Sequence, residues 1–551
     1  MTDAREGRLR ATVEVFATAA RNGALLRVEL AWLAFNSAEW GVWLSLTVWA
    51  YLRGGAAAVS AIILVQLIPC IFVAPYLGAV TDRARAGRVL FVGLLVMGAT
   101  MAAVAAAIAV DAPTWVVFVL APVMNLALSV PRPAQAALLP GVVRTPVELT
   151  AANVVSSWME NASVLLAPAL TGVILGVGGP GPAAGVLAGV TLAGAAAVAG
   201  IPGPEPMAER AEGASLTAEV KASVAAVWRV PAARTLVGVV ASQYILVGAL
   251  DVLYVVLAIT TLGMGEAGSG YLNAAFGAGG LIGVAVTAAL VARRRLAPAL
   301  VAGIVTAAAA LAVLGVFPTV AGALLLLGLA GLARSVFDVT GRILLQRAAP
   351  PHVLGQVFAL LESLMNAGLA VGAIFVPALV GLSGARAALV GTALLLLAIV
   401  AVVWRRLRTI DDAADVPQVQ IQLLRLSPIF KPLPAPELEA LARALEPVDV
   451  TAGTLVIREG DEGDRYYVVA DGELRVTRDG KEAARLRRGD GFGEIALIHD
   501  VPRTATVTAL TAAHLYALEK EPFVLALTGH AVSARAAGAL AAERLDDLEA
   551  L

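Results

Sequence analysis

The chain has 551 residues, of which 59% are hydrophobic and only 15% charged, and its mean hydropathy is +0.83. Soluble globular proteins carry about 25% charged residues, so a wholly water-soluble chain is excluded. The near balance of 40 basic and 41 acidic residues hides a division: Asp411 to the end holds 15 basic against 24 acidic, whereas residues 1–410 hold 25 against 17.

The first segment, residues 1–24, is charged and polar, and no cleaved signal peptide is expected. Apolar runs of about 20 residues, the length that crosses a bilayer, then recur. They lie at roughly 25–51, 56–80, 88–110, 114–138, 149–177, 183–201, 234–262, 268–292, 297–317, 319–345, 355–382 and 386–405. About twelve transmembrane helices follow, in two bundles of six (25–201 and 234–408) joined by a polar linker, 202–233. Basic residues concentrate on one side of the spans, at Arg83, Arg85, Arg88, Arg132, Arg144, Lys221, Arg229, Arg234, Arg293, Arg294, Arg295, Arg342, Arg347, Arg405, Arg406 and Arg408. The opposite loops hold only Arg53 and Arg386, so both termini are expected in the cytoplasm of a cell-membrane protein. Pro168-Ala169-Leu170-Thr171-Gly172 returns as Pro377-Ala378-Leu379-Val380-Gly381, a spacing of 209 that maps span five onto span eleven. Two pseudo-symmetric halves suit a transporter with its site between them. Cys70 is alone, and the four histidines have no metal-ligand spacing, so neither a disulfide framework nor a metal site is expected.

Ionisable groups at membrane depth are expensive and mark candidate sites. Here they are Glu39 in span one with Asn36 one turn earlier, Glu160 in span five, Asp251 in span seven, Arg334 and Asp338 in span ten, and Glu362 in span eleven. Arg334 and Asp338, four residues apart, share a helix face and are expected to pair. The repeat makes Glu39 and Asp251 near-equivalents facing one cavity, where a desolvated carboxyl can carry a proton. Trp32, Trp40, Trp43 and Trp49 around Glu39 suit an organic cation.

Between spans two and three stands Gly78-Ala79-Val80-Thr81-Asp82-Arg83-Ala84-Arg85-Ala86-Gly87-Arg88. It resembles the loop signature of the major facilitator superfamily, a glycine followed four residues later by Asp-Arg and then by glycine and basic residues. Arg85 stands where a second glycine is usual, and Gly87 comes two residues late. The resemblance covers most of residues 20–408 and implies a gating role for Gly78, Asp82, Arg83 and Arg88. Arg132-Pro133-Ala134 and Leu138-Leu139-Pro140 are similar to the drug- and siderophore-exporter branch.

After a coupling linker, 409–427, the chain becomes polar. Helices are expected at Val419–Leu426, Ala435–Leu445 and Ser533–Leu548. Short strands are expected at Thr454–Ile457, Tyr466–Val469, Glu473–Thr477, Ala483–Leu486, Ala505–Ala509 and His514–Leu518, forming a β-roll or jelly roll. Asp471-Gly472 reads as a hairpin turn. Gly493 permits close backbone approach, a helical turn beginning near Glu494 offers free N–H groups, and Arg503 supplies a cation for a phosphate. Glu494 repels that phosphate, so its oxygens suit a hydroxyl: together, a sugar phosphate.

The run from Phe492-Gly493-Glu494 to Pro502-Arg503-Thr504-Ala505-Thr506 is similar to the phosphate-binding cassette of cyclic nucleotide-binding domains, and the likeness extends over about 428–550. It implies Glu494 on the ribose 2′-hydroxyl, Arg503 on the cyclic phosphate, backbone donors near Gly493, Ile495 and Ala496, and completing contacts from Thr504 and Ala505. Thr504 occurs in cAMP- and cGMP-preferring relatives alike. The expectation is a polytopic α-helical membrane protein with a C-terminal β-roll sensor (428–551): a proton-coupled exporter of small organic compounds, regulated by cAMP or cGMP. Its partners are then a cyclic nucleotide, an organic substrate, protons and the bilayer, with no nucleic acid and no catalysis. The alternatives are a non-transporting membrane receptor and a lysolipid carrier.

Overall fold

Helix α1 (Gly23–Thr81) has 59 residues, which as one straight rod would measure about 88 Å, some three times the ~30 Å hydrocarbon core. It breaks at Gly54 and Gly55, where Gly55 takes φ of +63°, open to a residue without a Cβ. The structure, a computed structural model, describes residues 20–81, 84–201, 203, 225, 227–290, 295–349, 354–413, 417–528 and 530–549. Within them α2 (Ala86–Ala109), α3 (Thr114–Leu128), α4 (Pro131–Val142), α5 (Pro146–Gly178) and α6 (Pro180–Val198) follow. After the linker come α7 (Pro231–Val256) with a π-helical turn at Leu257–Thr261, α8 (Gly265–Leu290), α9 (Ala297–Val316), α10 (Val320–Ala348) and α11 (Leu354–Ala413).

Ten stretches among the described residues are long and apolar enough to cross a membrane. The break in α1, and its counterpart at Ser383–Gly384 in α11, each divide a double-length helix, so twelve segments result. Helices α3 and α4 make one pass, interrupted at Ser129–Val130; Pro131 lacks an N–H and starts a helix without wasting a donor. Large apolar side chains such as Val177, Leu382 and Val402 are at least 80% exposed, as expected when the solvent is lipid.

Glycine lets these helices meet backbone to backbone, the packing that lipid favours. A Cβ on Gly331 would collide with the Phe276 carbonyl, and one on Gly248 with the Leu369 carbonyl. The two repeat glycines differ. A Cβ on Gly172 would stand 2.8 Å from the Ala267 carbonyl and 3.1 Å from the Gly270 Cα, whereas one on Gly381 meets nothing within 4 Å. Gly172→Ala is therefore expected to lower the melting temperature of the purified chain by the equivalent of about 1–3 kcal/mol of overpacking. Gly381→Ala leaves it unchanged or slightly higher, since alanine is the better helix former. Equal melting of the two variants would contradict the packing difference.

The second unit holds residues 144–154 and 415–551. It comprises α12 (Gln418–Leu426), α13 (Ala435–Arg443), β1 (Glu446–Val450), β2 (Leu455–Ile457), β3 (Arg465–Asp471), β4 (Leu474–Arg478), β5 (Lys481–Leu486), β6 (Gly491–Phe492), α14 (Glu494–His499), β7 (Thr506–Ala509), β8 (Ala513–Glu519), α15 (Lys520–Thr528) and α16 (Ala531–Glu549). Two four-stranded antiparallel sheets run β1-β8-β3-β6 and β2-β7-β4-β5. Val469, Phe492 and Leu515 of one sheet pack with Ile457, Leu474, Leu486 and Val507 of the other. A second core gathers around Phe430, Tyr466 and Phe523, whose ring centroids lie 5.1–5.9 Å apart.

One expectation is corrected here. Asp471-Gly472 is no hairpin, because β3 and β4 belong to different sheets; the chain crosses between them there. The hairpin turn is Asp479-Gly480, with φ of +49° and +79°, joining β4 to β5 through Arg478 opposite Lys481. The expected coupling linker, 409–427, begins within a helix. α11 continues to Ala413, where both carboxylate oxygens of Asp411 accept from the Leu296 and Ala297 amides at 3.0 and 3.1 Å. At its other end Leu423 and Leu424 are buried in the core around Phe430.

Candidate functional site

Gly493 has φ of +91°, and this left-handed turn starts the six-residue α14. A Cβ there would lie 2.7 Å from Arg503 Nη1, and one on Gly463 would lie 3.5 Å from Arg503 Nε, so two glycines leave room for one guanidinium. Arg503 is only 5% exposed. It donates to the Gly493 carbonyl at 3.1 Å and the Arg465 carbonyl at 2.8 Å, and its sole ion-pair partner among the described residues is Asp464 at 3.3 Å. Asp464 is 75% exposed, so this pair is open to exchange.

Glu494 is 1% exposed. Its Oε1 accepts from Arg544 of α16 at 2.7 Å, while its Oε2 is buried with no partner in the structure. A buried carboxylate oxygen with an open lone pair is costly and calls for a donor. Arg544 also donates to the Gly491 carbonyl at 2.7 Å. Burial works against the Arg544 charge, but the Glu494 carboxylate outweighs it and holds the guanidinium pKa above its ordinary value. Burial, helped by the nearby Glu494 charge, likewise raises the Tyr466 hydroxyl, which bonds Ser427.

Gly493, Glu494, Ile495, Ala496, Arg503, Thr504, Ala505 and Arg544 line one open pocket. Its other wall is apolar, with Val476, Ala484, Leu486 and Val507. Arg544 was not legible in advance; a basic residue on the final amphipathic helix carries no sign of which carboxylate it will meet. Asp464 was equally hidden.

The helical unit rearranges the expected transport residues. Glu39 is not a free acid: Arg132 donates to it at 2.7 Å and to Glu160 at 3.0 Å, and the guanidinium lies 5.6 and 5.5 Å from the Trp32 and Phe35 rings. Asn36 is buried and donates to the Trp32 carbonyl of its own helix. Arg334 and Asp338 do not pair. Asp338 accepts from Arg342 at 3.1 Å and from Gln243 at 2.5 Å, because the helical i,i+4 spacing serves Asp338–Arg342 equally well and Gln243 adds a second donor. Glu362 is exposed and stands 3.9 Å from Arg342. The Trp43 indole of α1, and not Glu39, is the side chain of the first half that acts on the Asp251 carboxyl of α7. Glu29, missed in the sequence, is 1% exposed and accepts from Ser156 at 2.8 Å. Of the residues expected to gate, Gly78 lies in α1 and Arg88 is exposed on α2, while Asp82 and Arg83 lie outside the described residues. No cluster of possible metal ligands occurs among the described residues.

Comparison with known proteins matches residues 31–330 to the Major Facilitator Superfamily and residues 447–528 to the cyclic nucleotide-binding domain. The chain is similar to the cAMP-dependent protein kinase regulatory subunit of Yarrowia lipolytica, 45% identical over 102 residues, 18% of this chain and 27% of that one. It is 39% identical over 94 residues to the cGMP-dependent protein kinase egl-4 of Caenorhabditis elegans, 17% of this chain and 12% of that protein. Among solved structures, the regulatory domain of Toxoplasma gondii PKA with cAMP is 36% identical, with a TM-score of 0.19, over 19% of this chain and 42% of that one. The chain spans about a quarter or less of the length of these two curated relatives.

Proposed function

The chain belongs to the Major Facilitator Superfamily and carries a cyclic nucleotide-binding domain, and from that premise we propose a secondary transporter whose activity is set by cAMP, with cGMP as the alternative ligand. The observation that carries this reading is the orphaned Glu494 Oε2 beside Arg503 in an open pocket. The cyclic phosphate exchanges with Asp464 on the Arg503 guanidinium, a charge-assisted fork that suits a phosphate. The first-turn N–H groups at Ile495 and Ala496 add donors, and Thr504 and Ala505 close the cradle. The ribose 2′-hydroxyl donates to Glu494 Oε2 without disturbing the Arg544 bond on Oε1. The purine packs on Val476, Ala484 and Leu486.

Regulation requires that the nucleotide favour one transport state over another. Binding at Glu494 acts on α16 through Arg544, and on α12 through Tyr466 and Ser427. The chain runs from α12 back to α11 and the transport body. Both termini are cytoplasmic in this reading, which puts the sensor where nucleotide is made. Asp251, with an indole partner and no ion pair among the described residues, is the proposed proton carrier, and small organic compounds are exported. The gating role of Gly78, Asp82, Arg83 and Arg88 is part of the same proposal.

The test is thermal melting of the full chain with cAMP and cGMP, beside flux in proteoliposomes loaded with nucleotide. Ligand at 100 times its Kd stabilises the domain by about 2.7 kcal/mol. No shift with either nucleotide overturns the sensor, and a shift without any flux favours a receptor. Glu494→Gln is expected to weaken nucleotide binding about ten-fold or more, the loss of a hydrogen bond to a charged group. Calorimetry giving wild-type affinity would remove Glu494 from the ribose.

A further inference from the structure

Arg132, Arg334 and Arg342 stand part-buried along the spans, and two of them are held by carboxylates. Arg132 holds Glu39 and Glu160; Arg342 holds Asp338 and reaches Glu362. Arg334 is different. It stands at the midpoint of the 29-residue α10, where an arginine side chain costs several kcal/mol if left alone in a bilayer. Among the described residues no carboxylate forms an ion pair with it, and its buried Nε has no acceptor. Its guanidinium lies 5.5 Å from the centre of the Tyr244 ring on α7. Next to Tyr244, Gln243 spends its amide on Asp338 and leaves its own oxygen buried and unpartnered. Asp251, two turns further along α7, senses the Arg334 charge without pairing with it, and is itself engaged by Trp43.

We infer that Arg334 receives the negative charge of the transported compound. The substrate class is a small organic anion, carboxylate or phosphate, whose apolar or aromatic part lies against Tyr244 and whose donor group, where it has one, meets Gln243. The assignment rests on the transporter reading and names its cargo by charge. It replaces the organic cation that the tryptophans around Glu39 suggest, because Arg132 already occupies Glu39. The anion brings the acceptors that Arg334 lacks.

The experiment melts the purified full chain with phenyl phosphate, benzoate, lysophosphatidylglycerol and benzyltrimethylammonium, in wild type, Arg334→Gln and Arg334→Lys. The expected result is stabilisation by the anions, with a half-maximal concentration about ten-fold or more higher in Arg334→Gln and partly restored in Arg334→Lys. If only the lysolipid acts, and through Arg334, the anion is a lipid headgroup; if the soluble anions act, it is a free metabolite. Stabilisation by the cation alone, by none of the four, or equally in Arg334→Gln overturns the inference. A monodisperse elution in detergent and a ligand-free melting temperature like that of the wild type, read on the same samples, certify that the helical unit of each variant is folded. Flux of a bound anion is measured separately, so an anion that binds through Arg334 but does not cross sinks the transporter reading and leaves the site standing.

Discussion

Arg503→Ala is expected to abolish cyclic nucleotide binding at any practical concentration. Truncating one partner of a buried, hydrogen-bonded charge pair costs about 2–5 kcal/mol, some 30-fold to several thousand-fold in Kd. The upper half of that range applies because the side chain is 5% exposed and the exposed Asp464 is a poor substitute for a phosphate. Arg503 also ties the Gly493 and Arg465 carbonyls together, so the variant loosens the cassette as well. Arg503→Lys separates the two effects. It keeps the charge but not the fork, and affinity intermediate between wild type and Arg503→Ala is expected by calorimetry. Transport in the Arg503→Ala protein then becomes independent of nucleotide. Wild-type affinity in Arg503→Ala would remove the phosphate from this residue.

The second large effect lies in the membrane domain. Arg132→Gln leaves Glu39 and Glu160 facing each other without a cation. Breaking a buried ion pair from one side costs about 3–5 kcal/mol. These side chains keep 29–44% of their surface, which puts the expectation at the lower end, about 3 kcal/mol. The expected result is a lower melting temperature and a smaller monodisperse fraction in detergent. Adding Glu39→Gln and Glu160→Gln to Arg132→Gln restores much of the loss, since no charge then lacks a partner. Nucleotide affinity stays that of the wild type and serves as the internal control. An Arg132→Gln protein that melts with the wild type contradicts the network.

Much of this molecule is legible in its residues because the relevant signals are local. Twelve apolar runs need only a length and a solvent, and the breaks at Gly55 and Gly384 fall at glycines that tolerate positive φ. The nucleotide cassette is legible because its donors sit within some dozen consecutive residues, from Gly493 to Ala505. What failed depended on distant partners. Asp471-Gly472 and Asp479-Gly480 are the same dipeptide, and only strand pairing distinguishes the crossing from the hairpin. Arg334, Asp338 and Arg342 offer two equally spaced pairs on one helix, and Gln243 from another helix decides between them.

The sequence by itself determined the two solvents of the chain, the recurring apolar runs and the cassette residues that line one pocket. Each of these follows from composition or from groups adjacent along the backbone. The tertiary structure alone decided which charges are spent and which are free. It closed Arg132 onto two acids 93 and 28 residues away and brought Arg544 across 50 residues to one oxygen of Glu494. It left the other oxygen, and the Arg334 Nε, without a hydrogen-bond partner among the described residues. The physical reason is that a buried charge is stable only with a counter-charge or donor at about 3 Å, and that distance is set by folding, not by spacing in the chain.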